Sequence, residues 1–186
     1  MDFLDALSQR VIVYDGATGT ALQRANLTED DFGGPDLAGC NEILNVTRPD
    51  VVAQLHAGYF EAGADVAETN TFGAFAIPLA EYGIAGRAYE LAHAAGSIAA
   101  GVAADYSTAD RRRYVAGSIG PGTKLASLGQ IRYAELRDAY EPLARGLLDG
   151  GVDLFVIETM YDLLTLKAAV AACRRAMQAA GRRVPL

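Results

Sequence analysis

The chain of 186 residues is 51% apolar and 21% charged, with 16 basic and 23 acidic side chains and a formal charge of −7. That profile excludes a disordered or fibrous polypeptide, and the acidic balance offers no attraction to a phosphodiester backbone, so nucleic acid is not an expected partner. Its longest apolar stretches, such as Asp153 to Ile157 and Ile98 to Ala104, fall far short of the roughly 20 residues of a membrane span, and Met1-Asp2-Phe3-Leu4-Asp5 lacks the basic and apolar regions of a secretory signal; a cytoplasmic protein that does not engage a membrane is expected.

Four short β-rich segments recur along the chain: Arg10 to Tyr14, Asp65 to Glu68, Tyr114 to Ser118 and Asp153 to Glu158. Each is brief, apolar and followed by polar residues or glycine. After the first, Asn26 to Leu44 reads as a long loop rich in Gly and Asp. Thr47-Arg48-Pro49-Asp50 then sets a Thr N-cap close to a helix-initiating Pro, ahead of Val51, Val52, Leu55, Tyr59 and Phe60 at helical spacing, with Gly63 as the stop. Ile84 to Ala104 is Ala-rich and periodic. Ile131 to Leu148 predicts another helix, kinked at Pro142 and ended by Gly150-Gly151, and Asp162 to Ala180 a last one, stopped by Gly181. Strands alternating with helices call for a parallel sheet with helices packed outside it.

Two features favour a barrel over a doubly wound sheet. Asp15-Gly16-Ala17-Thr18-Gly19-Thr20 does not fit the G-x-G-x-x-G dinucleotide fingerprint. Every strand also ends in polar residues, and in a barrel all of those ends converge on one mouth. A complete barrel needs about 250 residues, whereas this sequence stops at Arg183-Val184-Pro185-Leu186, where a fifth strand would begin. The expected fold is therefore α/β: the N-terminal half of a (β/α)₈ TIM barrel, its first four βα units, forming one domain over residues 1–186 truncated near strand five. Open parallel edges make self-association plausible for such a half-barrel.

Asp15 and Gly16 follow the first strand and place a carboxylate and an unobstructed backbone amide at the mouth, although an ordinary Asp-Gly turn would read the same way. The second strand ends in the dense polar run Glu68-Thr69-Asn70-Thr71, suited either to ligand contacts or to a satisfied polar layer inside the barrel. Gly117-Ser118-Ile119-Gly120-Pro121-Gly122-Thr123 clears space after the third strand. Glu158 closes the fourth and sets a second carboxylate beside Asp15. Paired acids at one mouth suit recognition of an α-amino group, or general acid–base work where a pKa is raised. His56 and His93 fall in outer helices as surface or interhelix residues, Cys40 and Cys173 read as free thiols, and Arg111-Arg112-Arg113 as a solvated loop.

Together, Asp15 to Thr20, Gly39-Cys40-Asn41-Glu42-Ile43-Leu44-Asn45, Glu61 to Asp65 with Glu68-Thr69-Asn70-Thr71-Phe72, Gly117 to Lys124 and Ile157-Glu158-Thr159 resemble the homocysteine S-methyltransferase family over nearly the whole chain. The resemblance implies a (β/α)₈ barrel in which zinc activates the homocysteine thiol as a thiolate that accepts a methyl group. It implies that Asp15, the backbone at Gly16 and Glu158 hold the amino-acid end of homocysteine, with Glu68, Asn70 and Thr71 as the polar floor around it. The family's three zinc cysteines belong to later strands, so zinc ligands are expected beyond residue 186, and no catalytic or metal residue is assigned within the chain. Thr18 stands where Met is common in the family, and the surroundings of Phe75 also depart from it.

The first loop inclines the reading toward the cobalamin-dependent members, with methylcobalamin as donor and folate and cobalamin domains downstream. The alternatives are an S-methylmethionine-dependent enzyme, a non-enzymatic amino-acid-binding or assembly module, and another barrel enzyme, such as a lyase, using Asp15 and Glu158 directly. The chain by itself is expected to be inactive.

Overall fold

The computed structural model describes residues 2–186, in which parallel strands alternate with helices. The sheet has three strands, β1 (Val66–Glu68), β2 (Tyr114–Ile119) and β3 (Leu154–Ile157), in the order β1-β2-β3. Both pairings are parallel, with Val66 opposite Tyr114 and Ala116 opposite Leu154. Spatial order thus follows chain order, with a helix-bearing connection between each parallel pair.

The expected first strand at Arg10 to Tyr14 is a correction. It forms only one isolated parallel bridge, Tyr14 to Val66, with Asp65 N and Val66 N donating to Val13 O and Asp15 N donating to Val66 O. Having a sheet neighbour on one side only, the segment leaves Val11 82% and Val13 51% exposed. At the other edge Phe155 N donates to Pro185 O, so the chain's last residues come alongside β3.

The helices follow their apolar periodicity, with shifted ends. The segment from Pro49 is α4 (Pro49–Glu61), preceded by α1 (Phe3–Gln9), α2 (Thr18–Gln23) and α3 (Leu44–Thr47). Thr47 is not the N-cap of α4: it ends α3 and its hydroxyl donates to Ile43 O, while Arg48 occupies the cap without a side-chain bond. The presumed first loop folds into three 3₁₀ turns, Glu29–Phe32, Pro35–Leu37 and Asn41–Ile43. After β1 come α5 (Ala76–Ala80) and α6 (Ala88–Tyr106), and after β2 comes α7 (Tyr133–Asp149), which runs through Pro142 as one helix. Asp162 caps α8 (Leu163–Ala180), accepting from Leu164 N, Thr165 N, the Thr165 hydroxyl and Ser127 N, and Gly181 ends the helix in the left-handed region at φ 60°.

Alternation along the strands sorts the core into two layers. Val115 and Ile119 of β2 and Phe155 of β3 pack with Phe60, Tyr140, Leu143, Leu147 and Ala172 beneath the helices. On the other face, Val66, Tyr114, Ala116 and Leu154 pack with Ile12, Tyr14 and Val156, and Phe3 of α1 seals the lower end edge-on against Tyr114 at 5.5 Å between ring centres. By the same two-residue period Glu68, Ser118 and Glu158 continue the second face beyond its apolar residues, so the strand pattern itself delivers three polar groups to one side of the sheet.

The run Arg111-Arg112-Arg113 is not a free solvated loop. Asp65 precedes β1, at the end of the sheet away from the polar run, and its carboxylate accepts from Arg10 and Arg111 and from Val13 N, with Arg113 at 3.5 Å; Arg112 pairs with Asp153. Burial pushes the Asp65 carboxyl up, but the hydrogen bonds from Arg10, Val13 N and Arg111 outweigh it and hold it well below the usual carboxylate range.

Candidate functional site

A cavity of about 500 Å³ opens at the C-terminal ends of the strands. It is lined by the turn from Asp15 to Thr20, by Asn41 and Glu42, by Glu68 to Phe72, and by Ser118 and Glu158. Of the six residues singled out from the sequence, Asp15, Gly16, Glu68, Asn70, Thr71 and Glu158, every one lines it. No Lys, Arg or His is among the lining residues.

Asp15 is aimed by its own backbone pairing with Val66, and its Oδ2 accepts from Glu68 N at 2.9 Å. Burial pushes its carboxyl up to about 6, against the pull of that amide and with a further push from Glu158. The Glu68 carboxyl is raised as well, to about 7, first by burial and then by the negative charges of Glu158 and Asp15. Ser118, buried at the end of β2, donates its hydroxyl to Glu158 Oε1. Three carboxyl groups therefore meet with hydroxyl and amide donors but with no compensating cation among the lining residues.

Asn70 and Thr71 spend much of their bonding capacity on the protein. Asn70 Nδ2 donates to Asn41 O at 2.7 Å and to Asn45 Oδ1 at 3.1 Å, and Asn45 Nδ2 returns a bond to Asn70 O at 2.8 Å, which ties the 3₁₀ turn at Asn41–Ile43 and α3 to the end of β1. Thr71 Oγ1 bonds Ser118 O at 2.7 Å and shares a 2.6 Å contact with the Thr69 hydroxyl, which in turn accepts from Ser118 N at 3.0 Å. These bonds lock the end of β1 to the end of β2 and to the first loop. At Gly16 the backbone lies against Tyr59: a Cβ there would stand 3.0 Å from the phenol oxygen, which itself donates to Ala17 O.

Ser118 and Glu42 also line the cavity, and neither is singled out by the sequence alone. Ser118 shares the period-two face of Glu68 and Glu158, a signal readable once the third strand is placed. Glu42 accepts from Gly73 N at 2.7 Å and from the Cys40 thiol at 3.8 Å, and nothing local in the sequence joins it to Gly73. His56 is fully buried in α4 with neither ring nitrogen hydrogen-bonded, and burial pushes it down to about 4. Burial also raises the Cys40 thiol to about 11 and the Cys173 thiol to about 12. Among the described residues no group of His, Cys, Asp and Glu is arranged to hold a metal ion, so these side chains do not fit a zinc site. No helix is long and apolar enough to cross a membrane among the described residues.

The family model for homocysteine S-methyltransferase matches residues 12–185. The chain is 57% identical over 185 residues to methionine synthase of Mycobacterium tuberculosis and 55% identical to that of Mycobacterium leprae, and spans 15% of the length of each. Crystal structures of the homocysteine methyltransferase MmuM from Escherichia coli share its fold. The oxidized form superposes with a TM-score of 0.76 at 21% identity, covering 96% of this chain and 62% of that one. The metallated form gives 0.75 at 22% identity, covering 97% and 64%.

Proposed function

The chain belongs to the homocysteine S-methyltransferase family, and from that premise we propose that it supplies the amino-acid-binding part of a methionine-forming methyltransferase, built as the first four βα units of a (β/α)₈ barrel. The observation that carries the reading is the set Asp15, Glu68 and Glu158 around a 500 Å³ cavity that no cationic residue lines. Buried carboxylates without a cation are costly, and a substrate ammonium group supplies the missing positive charge with charge-assisted hydrogen bonds. Asp15 and Glu158 hold the amino group of homocysteine, the chain turn at Gly16 forms the wall beside it, and Glu68, Asn70 and Thr71 form the floor.

The thiol end would face residues outside this chain. Zinc and its cysteine ligands belong there in this reading, as do the methylcobalamin donor and the folate and cobalamin domains, in keeping with the much greater length of the mycobacterial relatives. The chain's own part is to bind and orient the amino acid, in the cytoplasm and without nucleic acid.

Calorimetry with L-homocysteine tests the proposal. The chain should bind it, and Asp15→Asn or Glu158→Gln should weaken binding about tenfold or more, since a hydrogen bond to a charged group contributes roughly 1.5–3 kcal/mol. Failure of all three proteins to bind would refute the amino-acid site. Methyl transfer should appear only in a polypeptide extended toward the length of the relatives and loaded with zinc, and the donor is identified by supplying methylcobalamin and S-methylmethionine separately. The exposed Val11–Val13 edge supports association of the chain with itself, and a monodisperse monomer in light scattering would count against the half-barrel reading.

A further inference from the structure

Glu158 stands at the last rung of the sheet, where its backbone N donates to Ile119 O at 3.1 Å. Its side chain is met from the same strand, because the Ser118 hydroxyl donates to Glu158 Oε1. Ser118 is itself buried and held on its other side. β1 ends at Glu68, opposite Ala116, and beyond that pair Ser118 meets side chains in place of ladder backbone. Thr69 Oγ1 accepts from Ser118 N at 3.0 Å, and Thr71 Oγ1 donates to Ser118 O at 2.7 Å. With its N–H, C=O and hydroxyl all committed, this serine presents its hydroxyl to Glu158 from a fixed position.

The residue after Glu158 is strained. Thr159 lies in the left-handed region at φ 55°, and among the described residues Asn26 is the only other non-glycine residue with a positive φ. Asn tolerates that region, whereas a β-branched side chain there is an outlier. Little in the bonding of Thr159 itself rewards the conformation, since its exposed hydroxyl reaches Glu158 Oε2 only at 3.5 Å. The conformation is imposed from both sides. Before it stands the rung from Glu158 N to Ile119 O, and three residues after it stands Asp162, whose carboxylate is tied to Ser127 N and to the first turn of α8. Strain of this kind persists only where the surroundings over-determine it, and it gathers at functional sites.

We infer that Ser118 is a positioning residue that holds the Glu158 carboxylate toward the mouth, and that the left-handed joint at Thr159 is the strained conformation this aim requires. The inference rests on the amino-acid reading of the site, in which Glu158 receives the ammonium group of the substrate. A hydroxyl suits the task better than a cation would. It fixes the direction of the carboxylate but brings no positive charge, so the attraction for an ammonium group is left to the ligand. At Asp65 the donors include guanidinium groups, and there that attraction is already satisfied within the protein. Holding Glu158 in place before the ligand arrives also spares binding the cost of ordering its side chain.

Calorimetry with L-homocysteine, joined to urea unfolding, tests the inference. Ser118→Ala should weaken binding about tenfold in the otherwise unaltered chain, the size of a lost hydrogen bond to a charged group. In a Glu158→Ala background the same change should weaken it by less than about twofold, because its effect passes through Glu158. A serine that only shaped β2 would weaken both alike. Thr159→Gly separates binding from stability and needs no new space. Its urea midpoint should rise, since glycine enters the left-handed region without strain, while homocysteine should bind about threefold more weakly to a freer joint. No weakening by Ser118→Ala, equal weakening in both backgrounds, or a Thr159→Gly chain with a lower midpoint or unchanged affinity would overturn the positioning and leave the amino-acid site standing. No binding of homocysteine by the unaltered chain would overturn both.

Discussion

The two ends of the sheet use the same residue types to opposite ends. At the lower end the single buried carboxylate of Asp65 is surrounded by Arg10, Arg111 and Arg113, and its charge is satisfied in full. At the mouth Asp15, Glu68 and Glu158 meet without one cationic neighbour in the lining, and burial raises both Asp15 and Glu68. Charges at the lower end are closed on themselves and hold the first segment, β1 and the entry to β2 together. Those at the mouth are left incomplete, as a site must be if a ligand is to complete it.

The sharpest way to break this contrast is to remove one negative charge from each end. Asp65→Asn should cost about 3 kcal/mol in urea unfolding, because the carboxylate is only 1% exposed and its loss leaves three guanidinium groups facing one another. Glu68→Gln should cost nothing and is expected to add about 1 kcal/mol, because it removes a carboxyl that burial first, and then the charges of Glu158 and Asp15, disfavour. Equal losses from the two variants would mean that the mouth is as well compensated as the lower end.

A smaller effect, about 2 kcal/mol, is expected for Asn70→Ala, which strips the donor from Asn41 O and from Oδ1 of the buried Asn45. Thermal unfolding reads the loss. Weaker homocysteine binding in the same variant would show that the first loop shapes the mouth.

The smallest effects lie in the pH dependence and work against each other. Asp15 has a folded pKa raised from 3.8 to about 6, so its contribution is fully present below about pH 4 and is lost as pH rises through 6. Buried His56 has a folded pKa lowered from 6.5 to about 4, so its contribution is present above about pH 6.5 and is lost as pH falls through 4. Denaturant titrations should therefore show stability falling more steeply from pH 4 to 6 in His56→Leu than in the unaltered chain, and less steeply in Asp15→Asn, where the raised Glu68 carboxyl still opposes His56. Asp65, whose pKa is lowered, supports the fold above about pH 4 and ceases to do so as pH falls further.

Much of the mouth is legible in the sequence, because each polar group sits where an apolar strand gives out. Asp15, Glu68 and Glu158 were identified in that way, and the two-residue period explains why Glu68 and Glu158 share a face. Arg10 to Tyr14 has the composition of a strand, yet with a neighbour on one side it makes a single bridge. Thr47 looked like a cap because Pro49 follows it, but its hydroxyl turned back to Ile43 O inside α3. In each case the local signal was real, and a competing local bond or a missing neighbour decided the outcome.

The sequence by itself determined the order of strands and helices, the faces that are buried and the polar character of the strand ends, since all of these follow from periodicity along one segment at a time. Only the tertiary structure decided which charges are paired. Arg111 lies 46 residues from Asp65, and Ser118 lies 40 from Glu158. An isolated run of arginines or a lone glutamate looks alike whether its partner is water, a salt bridge or another acid. Electrostatic energy depends on distances of a few ångströms through a partly buried medium, and those distances are set when the sheet brings remote segments side by side.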